Sequence, residues 1–102
     1  MMNLFELPQM PLAEEFVEIL AQSGNVRVER IVSAGHATDW LTQDETELVI
    51  LLQGMARLEY EDSPPVDLKA GDYIIINPRE KHRVVYTSVK PPCVWLCVFY
   101  YS

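Results

Sequence analysis

From Asn25 to the C-terminus the sequence predicts an all-β domain, a sandwich or a barrel. Three observations lead there. Short apolar segments recur at regular intervals, turns bearing glycine or proline separate them, and several alternate apolar with polar residues as half-buried strands do.

The segments follow in order. "VRVERIVSA" alternates Val26, Val28, Arg30 and Val32 with Arg27, Glu29, Ile31 and Ser33. "ELVILLQG" reads as a buried strand that stops at Gly54, and "MARLEYE" follows so closely that Gln53-Gly54 reads as a tight hairpin turn. "EDSPPV" is a second turn, whose prolines blunt any strand there. "KAGD" turns the chain into "YIIIN", and "HRVVYTS" and "KPP" lead to a long last strand, "CVWLCVFYY". In that strand Cys93, Trp95, Cys97, Phe99 and Tyr101 share one face, and Val94, Leu96, Val98 and Tyr100 share the other. Both faces are apolar, so both are expected to be covered, the outer one by a helix or a second subunit.

Ahead of the strands, "PLAEEFVEILAQSG" predicts a short N-terminal helix. Pro11 suits a first turn, and Glu14 and Glu15 suit the positive end of the helix dipole. Leu12, Phe16, Ile19 and Leu20 form one stripe, and Gly24 is placed to end it. "NLFELPQMP" before it is an extended arm. The division is therefore an arm and helix over 1–25 and a barrel over 26–102, within one structural domain.

A chain of 102 residues with 49% hydrophobic residues makes one domain with one core. The net charge of −7 argues against nucleic acid or an anionic membrane as partner and serves solubility. No apolar run approaches the ~18 residues that span a bilayer. The acidic N-terminus, without a basic region, is unlike a secretory signal, so a cytoplasmic location is expected. On one strand Cys93 and Cys97 stand about 13 Å apart, beyond disulfide reach, so two buried free thiols are expected.

The spacing of turns and polar residues over residues 35–86 resembles the cupins, small barrels of jelly-roll topology, also called the double-stranded β-helix. Gly35, Leu41, Gln43, Glu47 and Gly54 fall on the first cupin motif, G-x5-H-x-H-x3,4-E-x6-G. Gly71, Asn77, Arg79, His82 and Tyr86 fall on the second, G-x5-P-x-G-x2-H-x3-N. "VILLQGMARLEYED" and "LKAGDYIIIN" strengthen the likeness. Metal-binding cupins take two histidines and a glutamate from the first motif and a histidine from the second. Here Leu41 and Gln43 stand at the two histidine positions, while Glu47 and His82 keep theirs. Asn77 and Arg79 replace the proline and second glycine of the second motif. The resemblance also implies a homodimer.

Parity groups the remaining polar residues. Leu41 and Gln43 share a face, as do Glu47, Val49 and Leu51, and His82, Val84 and Tyr86. The resemblance points all three faces into the barrel, so Gln43, Glu47, His82 and Tyr86 are the expected ligand-binding set. Three readings stay open. Gln43, Glu47 and His82 hold a divalent transition metal (zinc, iron, manganese or nickel), although known sites usually have three or four protein ligands. Or Glu47 and His82 form a metal-free pair that binds a small molecule or does acid–base work on it. Or the site has lapsed, with Glu47 neutralising Arg30 or Arg57. The expected function is small-molecule binding in the barrel. The alternatives are a metal-dependent isomerase or dioxygenase-like enzyme, or a non-enzymatic sensor or accessory protein. His36 is expected to be a loop histidine, Trp40 to lie outside the barrel or in a subunit contact, and Arg79, Lys81 and Arg83 to form a solvated rim.

Overall fold

The computed structural model describes residues 1–101 and is all β, with eight strands. They are β1 (Phe16–Ser23), β2 (Val26–Ser33), β3 (Thr46–Gln53), β4 (Met55–Tyr60), β5 (Val66–Lys69), β6 (Tyr73–Ile76), β7 (His82–Thr87) and β8 (Cys93–Tyr100). Ser102, the last residue of the expected barrel, lies outside the described residues. A five-stranded sheet in the order β1-β2-β8-β3-β6 faces a three-stranded sheet in the order β5-β4-β7, all pairs antiparallel. This is the jelly-roll barrel. Among the described residues no helix is long and apolar enough to cross a membrane.

The core lies between the sheets. Leu51 and Leu58 are the largest fully buried side chains, and Val49, Ile76, Trp95, Cys97 and Phe99 pack with them. Alternation along β8 and along β3 as far as Leu51 is regular, so Glu47, Val49 and Leu51 point inward beside Phe99, Cys97 and Trp95. Both cysteines are free and buried.

The expected N-terminal helix does not form. Its second half is β1, the edge strand of the larger sheet, paired with β2 from Phe16↔Val32 to Ser23↔Val26. Gly24 does not cap a helix. With φ of +53° it opens a two-residue turn, Gly24-Asn25, which joins β1 to β2. Pairing along the whole of β2 outweighs the weak local preference for helix. A register shift between Ile19 and Ala21 breaks the alternation of β1 and disguises it as a helical stripe.

The arm takes over the covering role expected of the helix. Arg30 stands on the outer face of β2 and is 7% exposed. Its Nη1 donates to the carbonyls of Leu4 (3.0 Å) and Glu6 (2.5 Å), and its guanidinium lies over the Phe16 ring. Its Nε comes within 3.1 Å of Glu18 Oε1 but lacks the alignment of a hydrogen bond. Val32 and Val94, also on the outer face, are fully buried at this end.

Gln53-Gly54 is not a hairpin turn either. β3 and β4 belong to opposite sheets, and Gly54, at φ +94°, is the corner where the chain crosses. A Cβ on Gly54 would come within 2.8 Å of Ser88 Oγ and 2.9 Å of Cys93 Cα and Sγ. Gly54→Ala therefore combines left-handed strain with overpacking. A loss of about 2–4 kcal/mol is expected, read as a fall in Tm of about 10 °C or more by calorimetry.

Candidate functional site

Three segments build the site. β3 carries Glu47 at its second residue, where it pairs with Phe99 of β8 and Ile76 of β6. β7 opens with His82, opposite Tyr60 of β4. The stretch before β3 lies along β7: Leu41 and His82 exchange both backbone hydrogen bonds (2.7 and 3.1 Å), and Thr38 bonds the backbone of Val84. That pairing brings Gln43 over the barrel end. Arg79 holds it there, because its N–H donates to the Gln43 carbonyl at 2.7 Å. Arg79 has φ of +61°, so the chain keeps the left-handed turn that the glycine of the motif would supply.

These residues surround an open-mouthed cavity of about 150 Å3. Gln43, Glu47 and His82 line it with Leu41, Val49, Val84, Trp95, Cys97 and Phe99. Glu47 is 8% exposed and His82 4%. Gln43 Nε2 donates to Glu47 Oε1 at 3.2 Å, and the Cys97 thiol stands beside the same carboxyl. His82 Nδ1 lies 2.8 Å from the Glu80 carbonyl, which only accepts, so Nδ1 carries a proton and Nε2 is at the ring's other edge.

Burial pushes the Glu47 carboxyl above its ordinary pKa. The Cys97 thiol, the His82 ring and the Gln43 amide pull back against it, and the charge of Glu29 adds to the rise. Cys97 is pushed far up by burial first and by the charge of Glu47 next, so it stays a thiol.

Tyr86 does not join the set. It is 51% exposed and borders a shallow depression on the outside of the small sheet, with Met55, Leu68 and Asp72. The cause is a bulge. Arg57 pairs with Tyr86 but Leu58 pairs with Val84, so Val85 is an extra residue and parity reverses after it. Thr87 turns inward in place of Tyr86 and is 2% exposed.

Two polar residues join that the sequence reading did not assign. Glu15 lines the cavity because the β1–β2 register sets it beside Ser33, whose hydroxyl donates to Glu15 Oε2 at 2.6 Å. Trp95 Nε1 donates to that hydroxyl in turn, at 3.2 Å. The hairpin dipeptide Gly24-Asn25 signals the β1–β2 pairing, and the shift between Ile19 and Ala21 then sets Glu15 beside Ser33. Thr38 also lines the cavity.

The other candidates lie elsewhere. His36 Nδ1 accepts from the Ala34 N–H and Nε2 lies 3.1 Å from the Leu12 carbonyl, so its ring ties the arm to a loop. Trp40 lies outside, under Arg83 at 4.3 Å and Lys81 at 5.7 Å. Arg83 and Lys81 are paired with Glu59 and Glu61. Arg30 and Arg57 do not pair with Glu47; their partners are Glu18 and Asp67.

Comparison with known proteins agrees with this architecture. The cupin domain family model matches residues 28–99, and the chain belongs to the cupin family. No curated protein matches it. Among solved structures, a Ralstonia eutropha JMP134 protein provisionally named a mannose-6-phosphate isomerase is 29% identical, with a TM-score of 0.93 over 100% of this chain and 98% of that one. A cupin superfamily protein from Desulfitobacterium hafniense DCB-2 is 19% identical, with a TM-score of 0.78 over 93% of this chain and 84% of that one. The DMSP lyase DddQ from Ruegeria pomeroyi DSS-3 is 18% identical, with a TM-score of 0.76 over 85% of this chain and 47% of that one. The last two likenesses are of fold.

Because the folded state raises the Glu47 pKa, Glu47 favours folding at low pH and costs stability once it ionises. The loss sets in as pH rises from the ordinary carboxylate range through the raised value. Glu47→Gln removes this titration. Its Tm relative to wild type is therefore expected to climb with pH across that window. A Tm difference that stays flat with pH would show that burial does not shift this carboxyl.

Proposed function

We propose that this cupin binds a small molecule inside its barrel, with Glu47 and His82 as the polar anchors and Gln43 beside them. One observation carries the reading: a carboxylate and an imidazole, both buried, meet at an open cavity whose other walls are mostly apolar. Tyr86, outside that cavity, is left out of the binding set.

A resident transition metal fits these residues poorly. Leu41 offers no donor atom, and the Gln43 amide is already directed at Glu47. Among the described residues no group of three His, Cys, Asp or Glu side chains is gathered for a metal ion. Of the four motif positions, one imidazole and one carboxylate remain, short of the usual three or four ligands. The reading is therefore metal-free binding, in preference to a metal-dependent isomerase or dioxygenase or to a non-enzymatic sensor.

A second reading, proton transfer on the bound molecule, draws on the raised Glu47 carboxyl. A carboxyl moved toward neutral pH beside an imidazole suits a proton shuttle, and the Ralstonia eutropha relative is provisionally named an isomerase.

We also propose a homodimer joined through the outer face of the larger sheet. Beyond the part near the arm, Val26, Val28, Leu48, Ile50, Ile75 and Val98 form a continuous apolar surface across four strands, in register and half-buried or exposed. An apolar face of this kind suits a second copy of the same chain. The buried thiols suit a reducing compartment such as the cytoplasm.

Elemental analysis of untagged protein tests the metal-free reading. Less than a tenth of a metal per chain is expected after incubation with zinc, iron, manganese and nickel salts. About one per chain, lost in His82→Ala, would restore the metal enzyme. Light scattering on a sizing column tests the dimer: wild type is expected at twice the chain mass and Ile75→Lys at the chain mass. A monomeric wild type removes the proposal.

A further inference from the structure

The polar lining of the cavity is one-sided. Glu15 and Glu47 are both carboxylates, and no lysine or arginine lines the cavity. Glu47 stands beside the Cys97 thiol, and Glu15 lines the same cavity beside Ser33. The Arg27 guanidinium lies over the Phe99 ring at 4.3 Å and is taken up by Glu29 and Glu45. The remaining polar atoms also accept. His82 spends its Nδ1 proton on the Glu80 carbonyl, so in the neutral ring Nε2 accepts. Gln43 directs its amide N–H at Glu47, which leaves its oxygen free to accept. Thr38 Oγ1 already accepts from Val84, so its hydroxyl proton and the second amide N–H of Gln43 are the exceptions.

Shape and walls narrow the ligand further. A volume of about 150 Å3 is benzene-sized, room for about six non-hydrogen atoms. Trp95 and Phe99 supply aromatic surface, which attracts cations. A phosphorylated sugar has the wrong charge for this lining.

We infer that the ligand is a small organic cation, a primary ammonium on a short apolar body, held by Glu15 together with Glu47 and His82. The inference rests on the reading of the cavity as a binding site. The ammonium donates hydrogen bonds to the Glu47 carboxylate and His82 Nε2, and the Glu15 carboxylate attracts its charge from the same cavity wall. Its positive charge offsets the cost of keeping two carboxylates in one apolar cavity. The apolar body rests on Val49, Val84 and the aromatic walls.

Calorimetric titration with three probes of one size tests this: butylammonium, butanol and butyrate, with inorganic phosphate as a fourth. Butylammonium is expected to bind at least about tenfold more tightly than butanol, the weight of a charged hydrogen bond. Butyrate and phosphate are expected not to bind. Glu15→Gln, which keeps an acceptor for Ser33, is expected to weaken butylammonium about tenfold and leave butanol unchanged. Butanol binding as tightly as butylammonium, or Glu15→Gln having no effect, overturns the cation but leaves the binding site. If no probe binds wild type, the binding site falls with it.

Discussion

A carboxylate inside an apolar barrel needs partners, and much of this structure serves that need. Leaving Glu47 charged and alone among Val49, Ile76 and Phe99 would cost several kcal/mol, so the group either gains neighbours or takes up a proton. Both responses are visible. Gln43, Cys97 and His82 gather around it, and its pKa still rises. The gathering sets conditions elsewhere. Gln43 must be carried in by the stretch paired to β7 and held by the left-handed Arg79. His82 must be oriented by the Glu80 carbonyl. A site with so many dependencies is rigid, which suits recognition of a small ligand.

The outer face of the larger sheet answers to a different constraint. β8 is apolar on both sides, so its outer side also needs cover. The arm supplies it at one end, tied by Arg30 to two backbone carbonyls. A buried arginine needs acceptors as much as a buried carboxylate needs donors, and backbone carbonyls provide them without a second buried charge. The same N-terminal region delivers Glu15 to the cavity, so one stretch of chain serves both faces of the sheet.

Where sequence reasoning went astray, nonlocal pairing was responsible. Residues 16–23 carry a helical stripe, yet β2 offers them a full ladder of partners. Tyr86 has the parity of His82, but the extra residue at Val85 turns it to solvent. Gly54 has the look of a hairpin glycine, and only the positions of Ser88 and Cys93 show that it is a crossing between sheets. A bulge and a sheet crossing are both set by partner strands far away in the chain, so no local window reveals them.

By itself the sequence determined the strand class, the turn positions, the inward parity of Glu47, Val49 and Leu51, and the cupin likeness. These rest on alternation and glycine placement, which act over a few residues. Tertiary structure alone decided that Glu15 enters the cavity, that Tyr86 leaves it, and that the cavity's polar lining accepts hydrogen bonds almost throughout. Those outcomes depend on register between strands distant in sequence, and on which side of each polar group is already spent on a neighbour.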